Sequence, residues 1–116
     1  MAFDYSRLTE ITTIATTAAS VYTNPSSTVS YARQIIIHNG NTTAEEVILY
    51  NVPDNAAAVG TAGELNVFYK ESMIAGATTI LDFGTPGIIL VDTNDTIQAV
   101  TDTVSKVTIQ IMGGKE

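Results

Sequence analysis

The chain has no cysteine, no tryptophan, three prolines, one histidine and only five basic residues among its 116 positions. Each shortage removes a class of function. Without cysteine there is no disulfide framework, no thiolate nucleophile and no sulfur-based zinc site. The lone histidine, His38, ends an isoleucine-rich segment, and no serine stands in a G-x-S-x-G turn, so a nucleophilic triad has no base and no elbow. The five cations, Arg7, Arg33, Lys70, Lys106 and Lys115, are dispersed along a chain of net charge -7. Nucleic acid demands clustered Lys and Arg, so no nucleic-acid partner is expected. No apolar run approaches the roughly 18 residues of a membrane span. No membrane partner is expected on that ground, and since Asp4 and Arg7 interrupt the N-terminal stretch where a conventional export signal needs unbroken apolar residues, no such signal is expected either.

What remains points to β-structure. Threonine is the commonest residue, valine and isoleucine are frequent, and charged residues make up 15% against about 25% in ordinary domains. Branched side chains are stiff at χ1 and fill pleated surfaces well. The length suits one core, large enough to stand without metals or disulfides.

Residues 8–19 alternate Thr with Ile and Ala too loosely for a clean strand and are too Thr-rich for a good helix; they read as extended. Residues 20–23 read as a short strand and 24–27 (Asn-Pro-Ser-Ser) as a turn. Residues 29–39 place Tyr31, Arg33, Ile35 and Ile37 on one side and Ala32, Gln34, Ile36 and His38 on the other. The Ile35-Ile36-Ile37 run suggests a strand covered on both faces or central in an assembly. Residues 39–43, opening with Asn-Gly, read as a hairpin turn into a strand at 46–52. Residues 54–63 are a small-residue loop suited either to the surface or to flat packing on a neighbour. Further strands are expected at 65–70, 78–83, 88–91, 96–100 and 107–112, with turns at 71–76, 84–87, 92–95 and 101–103 and a frayed tail at 113–116. Short strands at this spacing define an all-β, antiparallel β-sandwich or jelly-roll-like domain over residues 23–116. Residues 1–22 form an extended N-terminal segment, an arm or edge strand.

Chemistry is sparse. His38 reads as a strand-end residue satisfied by a backbone carbonyl or by Asn39 or Asn41. Glu45 and Glu46 are adjacent on a strand, so they face opposite sides and cannot work as an acid pair; they read as solvated charges. Asp92-x-Asn94-Asp95, with Asp102 expected at the same end, is the most metal-like cluster, but it lacks a full calcium loop and reads first as a turn. Gly60-Thr61-Ala62-Gly63 lacks the G-K-[ST] end of a phosphate loop. The reading is therefore no catalytic set, no cofactor and no metal. Surface is the richer feature: low charge, strands apolar on both sides and scattered tyrosines fit a subunit partly covered by copies of itself. Ile11, Ile14, Val21, Tyr22, Tyr31, Tyr50, Phe68 and Tyr69 are the candidate interface residues.

Three runs carry a resemblance: residues 14–25 (IATTAASVYTNP), 31–39 (YARQIIIHN) and 41–53 (NTTAEEVILYNVP), followed by 90–99 (LVDTNDTIQA) and 106–113 (KVTIQIMG). Together they resemble small β-rich structural proteins of tailed bacteriophages and prophages, over nearly the whole chain. One departure is Ile74-Ala75-Gly76-Ala77, where that group has an Ala-Gly-Glu turn; it removes a charge. The resemblance implies a non-enzymatic virion component made in the host cytoplasm, foremost a capsid decoration or cement protein. Its partners would be the major capsid protein or another virion protein and further copies of itself, as a trimer or hexamer. A tail, collar or fibre-associated adaptor is the alternative, and a small carbohydrate-binding module the second. The segment up to about Tyr22 would be the natural arm.

Overall fold

Strands rich in Val, Ile and Thr carry one apolar row each, and such rows are satisfied by facing one another across a shared core. A computed structural model, which describes residues 4–116 and their side chains from Ser6 onward, shows this arrangement in nine strands, with no α-helix among the described residues. They are β1 (Asp4–Thr13), β2 (Ala19–Thr23), β3 (Ser30–Asn39), β4 (Glu45–Val52), β5 (Val67–Met73), β6 (Thr78–Asp82), β7 (Ile88–Leu90), β8 (Thr96–Thr101) and β9 (Val107–Lys115). The first sheet runs β1-β9-β3-β6, with β7 also on β3; the second runs β2-β8-β4-β5. All pairings are antiparallel.

The pairs β4/β5, β3/β6, β2/β8 and β1/β9 are nested one inside the next and alternate between sheets. This is the jelly-roll topology, a long hairpin rolled into two facing sheets. Ile35, Ile37, Ile109 and Ile111 of the first sheet meet Val47, Leu49, Ile97 and Ala99 of the second, all at most 1% exposed. Burial of each large side chain contributes about 1.5–3 kcal/mol. β1 is an edge of the first sheet and β2 an edge of the second, and they lie on the same side of the sandwich. The expected boundary at residue 23 falls at the end of β2, and residues 1–3 of the expected N-terminal segment lie outside the described residues.

Several local expectations are corrected. The hairpin expected from 29–39 and 46–52 does not form: β3 lies in the first sheet and β4 in the second. Asn39, fully buried, donates through Nδ2 to the carbonyls of Thr43 (3.1 Å), Met73 (3.0 Å) and Ile74 (3.2 Å), which ties the connection down as a crossing between sheets. In β3 a register shift between Ala32 and Gln34 breaks the simple alternation. The inner row is consequently Ser30, Ala32, Ile35, Ile37 and Asn39, and Ile36 lies half-buried on the outer face rather than covered. Leu65 is not in a strand; it sits fully exposed on the short 3-10 turn Glu64–Asn66, and β5 continues through the expected turn to Met73.

The tail is not frayed. β9 runs to Lys115, and Gly113 passes so close to β3 that a Cβ there would meet the Tyr31 carbonyl oxygen. Glu116 exchanges two backbone bonds with Val29 (3.0 Å each), and its Oε1 accepts the Tyr31 hydroxyl (2.6 Å). The expected loop at 54–63 folds onto the chain's own second sheet. Val52, Thr96 and Gln98 alternate with the core-facing residues and so point outward, yet all are buried, with Gln98 Nε2 donating to the Gly60 carbonyl (3.0 Å). Gly60 is required there, since a Cβ would lie 2.5 Å from the Pro53 carbonyl oxygen.

Candidate functional site

Polar groups that chemistry could use gather at the two ends of β8. At its N-terminal end the carboxylates of Asp54, Asp92 and Asp95 lie within 4.8 Å of one another. Asp95 is 8% exposed; its Oδ1 accepts the Asp54 N–H (2.9 Å), and its Oδ2 accepts those of Val91 (3.1 Å) and Asp92 (3.0 Å). Burial pushes its carboxyl up, but these backbone N–H groups outweigh burial and hold it below the usual range. Asp54 Oδ2 accepts the Ala57 N–H (2.9 Å), and Asn94 donates to the Ala57 carbonyl (2.6 Å). The cluster therefore fastens the 53–63 loop to the turn before β8, using lone pairs that a cation would need.

Two residues of this end were placed differently by the sequence. Asp54 was not grouped with Asp92 and Asp95, because it follows β4, 41 residues before Asp95 in the chain, and only the β4/β8 pairing brings them together. Asp102 belongs elsewhere: β8 separates it from Asp95, and its Oδ2 accepts the Glu46 N–H (2.9 Å) at the other end.

At that C-terminal end sits Glu45, 2% exposed and not solvated as expected. Its Oε1 accepts the Thr103 N–H (2.9 Å) and the Thr101 hydroxyl (3.2 Å); its Oε2 accepts the Thr103 hydroxyl (2.8 Å) and Asn41 Nδ2 (3.0 Å). Burial opposes its charge, yet the four donors together hold the carboxyl below its ordinary value. The alternation that separates Glu45 from Glu46 was the available signal: Glu45 shares its face with Val47 and Leu49, so it enters the sandwich while Glu46 stays outside. His38 is exposed, and its Nδ1 bonds the Thr78 hydroxyl (2.8 Å) rather than a carbonyl or Asn39 or Asn41, because β6 pairs along β3 and sets Thr78 directly opposite.

One depression, about 350 Å³ and widely open, is lined by Val52, Pro53, Asp54, Asn55, Gly60, Thr61 and Asn66. It has polar walls, and none of its lining residues is aromatic.

The candidate interface residues divide. Ile14 and Tyr22 lie inside the core, where the Tyr22 hydroxyl bonds Ser30 (2.7 Å) and Ser30 in turn donates to Asn24 Oδ1 (2.6 Å). Val21, Phe68 and Tyr69 are half-buried against the core, and Phe68 meets Phe83 edge-on at 5.9 Å, closing one side of the sandwich. Tyr31 and Tyr50 are half-buried on the outer faces of the first and second sheets, and Ile11 on β1 is 65% exposed. Sequence patterning did not single out Ile80, Ile89, Ile74, Val104 or Leu65, all exposed. Ile80 and Ile89 become legible only once β6 and β7 are seen against β3, opposite Ile36 and Tyr31. No protein-family model, curated protein or solved structure matches this chain.

Proposed function

We propose that this protein is a non-enzymatic structural component of a virion, a decoration or cement protein that stabilises a phage head through repeated subunit contacts. One observation carries the reading most: Asp95 and Glu45, the two buried carboxylates among the described residues, are engaged by the chain's own donors, while large apolar side chains such as Ile80 and Ile89 remain in solvent. The groups suited to chemistry hold loops in place. The groups left over suit contact. The jelly-roll topology also hosts viral capsid domains, which supports the reading by fold-level analogy only, since lectin domains share it. Such a protein acts by adding modest contacts many times over a symmetric shell.

The test is to locate the protein on intact particles by electron microscopy and to weigh it in solution by light scattering. Density distributed over the head surface is the expected result; localisation at a single vertex would favour the tail or collar adaptor. A strictly monomeric protein absent from particles would sink the proposal. The polar depression around Asp54, Asn55, Thr61 and Asn66 favours the second reading, a carbohydrate-binding module, and glycan-array binding abolished by Asn55→Ala would support it.

A further inference from the structure

The chain treats the two outer faces of its sandwich differently. On the second sheet it covers Val52, Thr96 and Gln98 with its own 53–63 loop. On the first sheet, Ile36 stands opposite Ile80 and Tyr31 opposite Ile89, and Ile80 and Ile89 stay 58% and 45% exposed. We propose that this face is covered by the same face of a second copy, the two related by a two-fold axis that runs parallel to the strands between β9 and β3.

Register argues for that axis. Arg7 pairs with Met112, Met112 with Gln34, and Gln34 with Asp82, so these four residues form one row across β1, β9, β3 and β6. All four point outward, because Leu8, Ile111, Ile35 and Leu81, their respective neighbours in the chain, pack into or against the core. Arg7 and Asp82 therefore sit at the same height on opposite margins of one face. A two-fold parallel to the strands lays each β1 over the partner's β6 and each β9 over its β3, which sets Arg7 of one copy against Asp82 of the other, twice, with Met112 and Gln34 between them and Ile80 against the partner's β1. Neither side chain is committed beforehand. Arg7 reaches Glu10 only at 3.9 Å on the surface, and Asp82 accepts the Gly84 N–H through Oδ1 alone among the described bonds.

Four strands side by side, about 4.8 Å apart and up to ten residues long at about 3.3 Å per residue, present a face of roughly 600 Å², the scale of a modest interface that buries about 1,200 Å² in total. A chain of net charge -7 repels itself at the acidic end around Asp54, Asp92 and Asp95, whereas this face offers Arg7 at one margin to Asp82 at the other.

The test is sedimentation equilibrium of the full chain at micromolar concentrations, with circular dichroism confirming that each variant is folded. Wild type is expected to be a dimer. Ile80→Lys is expected to shift it to monomer. Arg7→Asp and Asp82→Arg, each placing like charges across the axis, should each weaken the dimer by about tenfold, and the double variant Arg7→Asp/Asp82→Arg should recover it. A monomeric wild type, a mass of three copies, an Ile80→Lys protein that stays dimeric, or a double variant no tighter than the singles would overturn the proposal. The inference does not depend on the virion reading: a dimer absent from particles would sink that reading alone, and a monomer found on particles would sink this one alone.

Discussion

Glu45→Gln tests whether the buried carboxylate is ionised in the folded protein. The replacement keeps the size of the side chain and its Oε1, so the Thr103 N–H and Thr101 hydroxyl keep an acceptor. The new amide nitrogen, however, faces Thr103 Oγ1 and Asn41 Nδ2. The threonine hydroxyl can rotate to accept; the Asn41 amide can turn only by breaking the bond its Oδ1 accepts from the Thr42 N–H (2.8 Å). One charge-assisted bond is thus lost and the others become neutral, a loss of about 1.5–3 kcal/mol, less what is regained by no longer burying a charge. A net destabilisation of about 2 kcal/mol at pH 7 corresponds to roughly 8 °C in melting temperature for a domain of this size. The sign of the pH dependence follows from a folded-state carboxyl held below its ordinary value by the four donors around it. Its contribution is fully present above the unfolded value and is lost as pH falls through the lower folded one. The gap between wild type and variant should therefore narrow as acid is added, because wild-type Glu45 then becomes neutral as well. Thermal melts of both proteins from pH 7 to pH 3 measure the gap, and taking the difference cancels the other carboxylates, Asp95 included. A gap that stays constant with pH, or no gap at pH 7, would refute an ionised Glu45.

Gly113→Ala should prevent folding or cost several kcal/mol, since its Cβ meets the Tyr31 carbonyl oxygen and β9 cannot retreat from β3 without losing the ladder; solubility and circular dichroism decide this. Gly60→Ala should lift the 53–63 loop at a cost of about 1–3 kcal/mol, read as faster amide exchange at Thr96 and Gln98, with the Ile35 and Ile109 amides unaffected. Tyr22→Phe leaves the ring in the core but removes the donor to Ser30, for about 1 kcal/mol in urea unfolding. Leu49→Ala, fully buried between the sheets, should cost about 2–5 kcal/mol by the same assay.

By itself the sequence determined the class of fold and the position of most strands from β2 onward, though not β1 or the ends of β5 and β9. Period-two patterning at Val107-x-Ile109-x-Ile111 and Val47-x-Leu49 is a local property of side-chain direction, and it correctly divided inner from outer residues there. Turn residues near Asn24, Gly84 and Asp92 punctuated the chain for equally local reasons. Which strands pair was a different matter. Asn39-Gly40 is as good a hairpin signal as short-range chemistry offers, yet β3 and β4 stack across the core, because burying Ile35 and Ile37 against Val47 and Leu49 outweighs a two-strand ribbon. The β3 shift at Arg33, the inward turn of Glu45, the seat of Asp54 beside Asp95 and the exposure of Ile80 all follow from pairing partners far away in sequence. Tertiary structure alone also settled that Ile14 and Tyr22 are core while Ile80 and Ile89 are surface. The strands are apolar on more than one side, so a single sequence cannot say which side its own chain will cover. Which apolar side chains stay in solvent could be read only once the roll had closed.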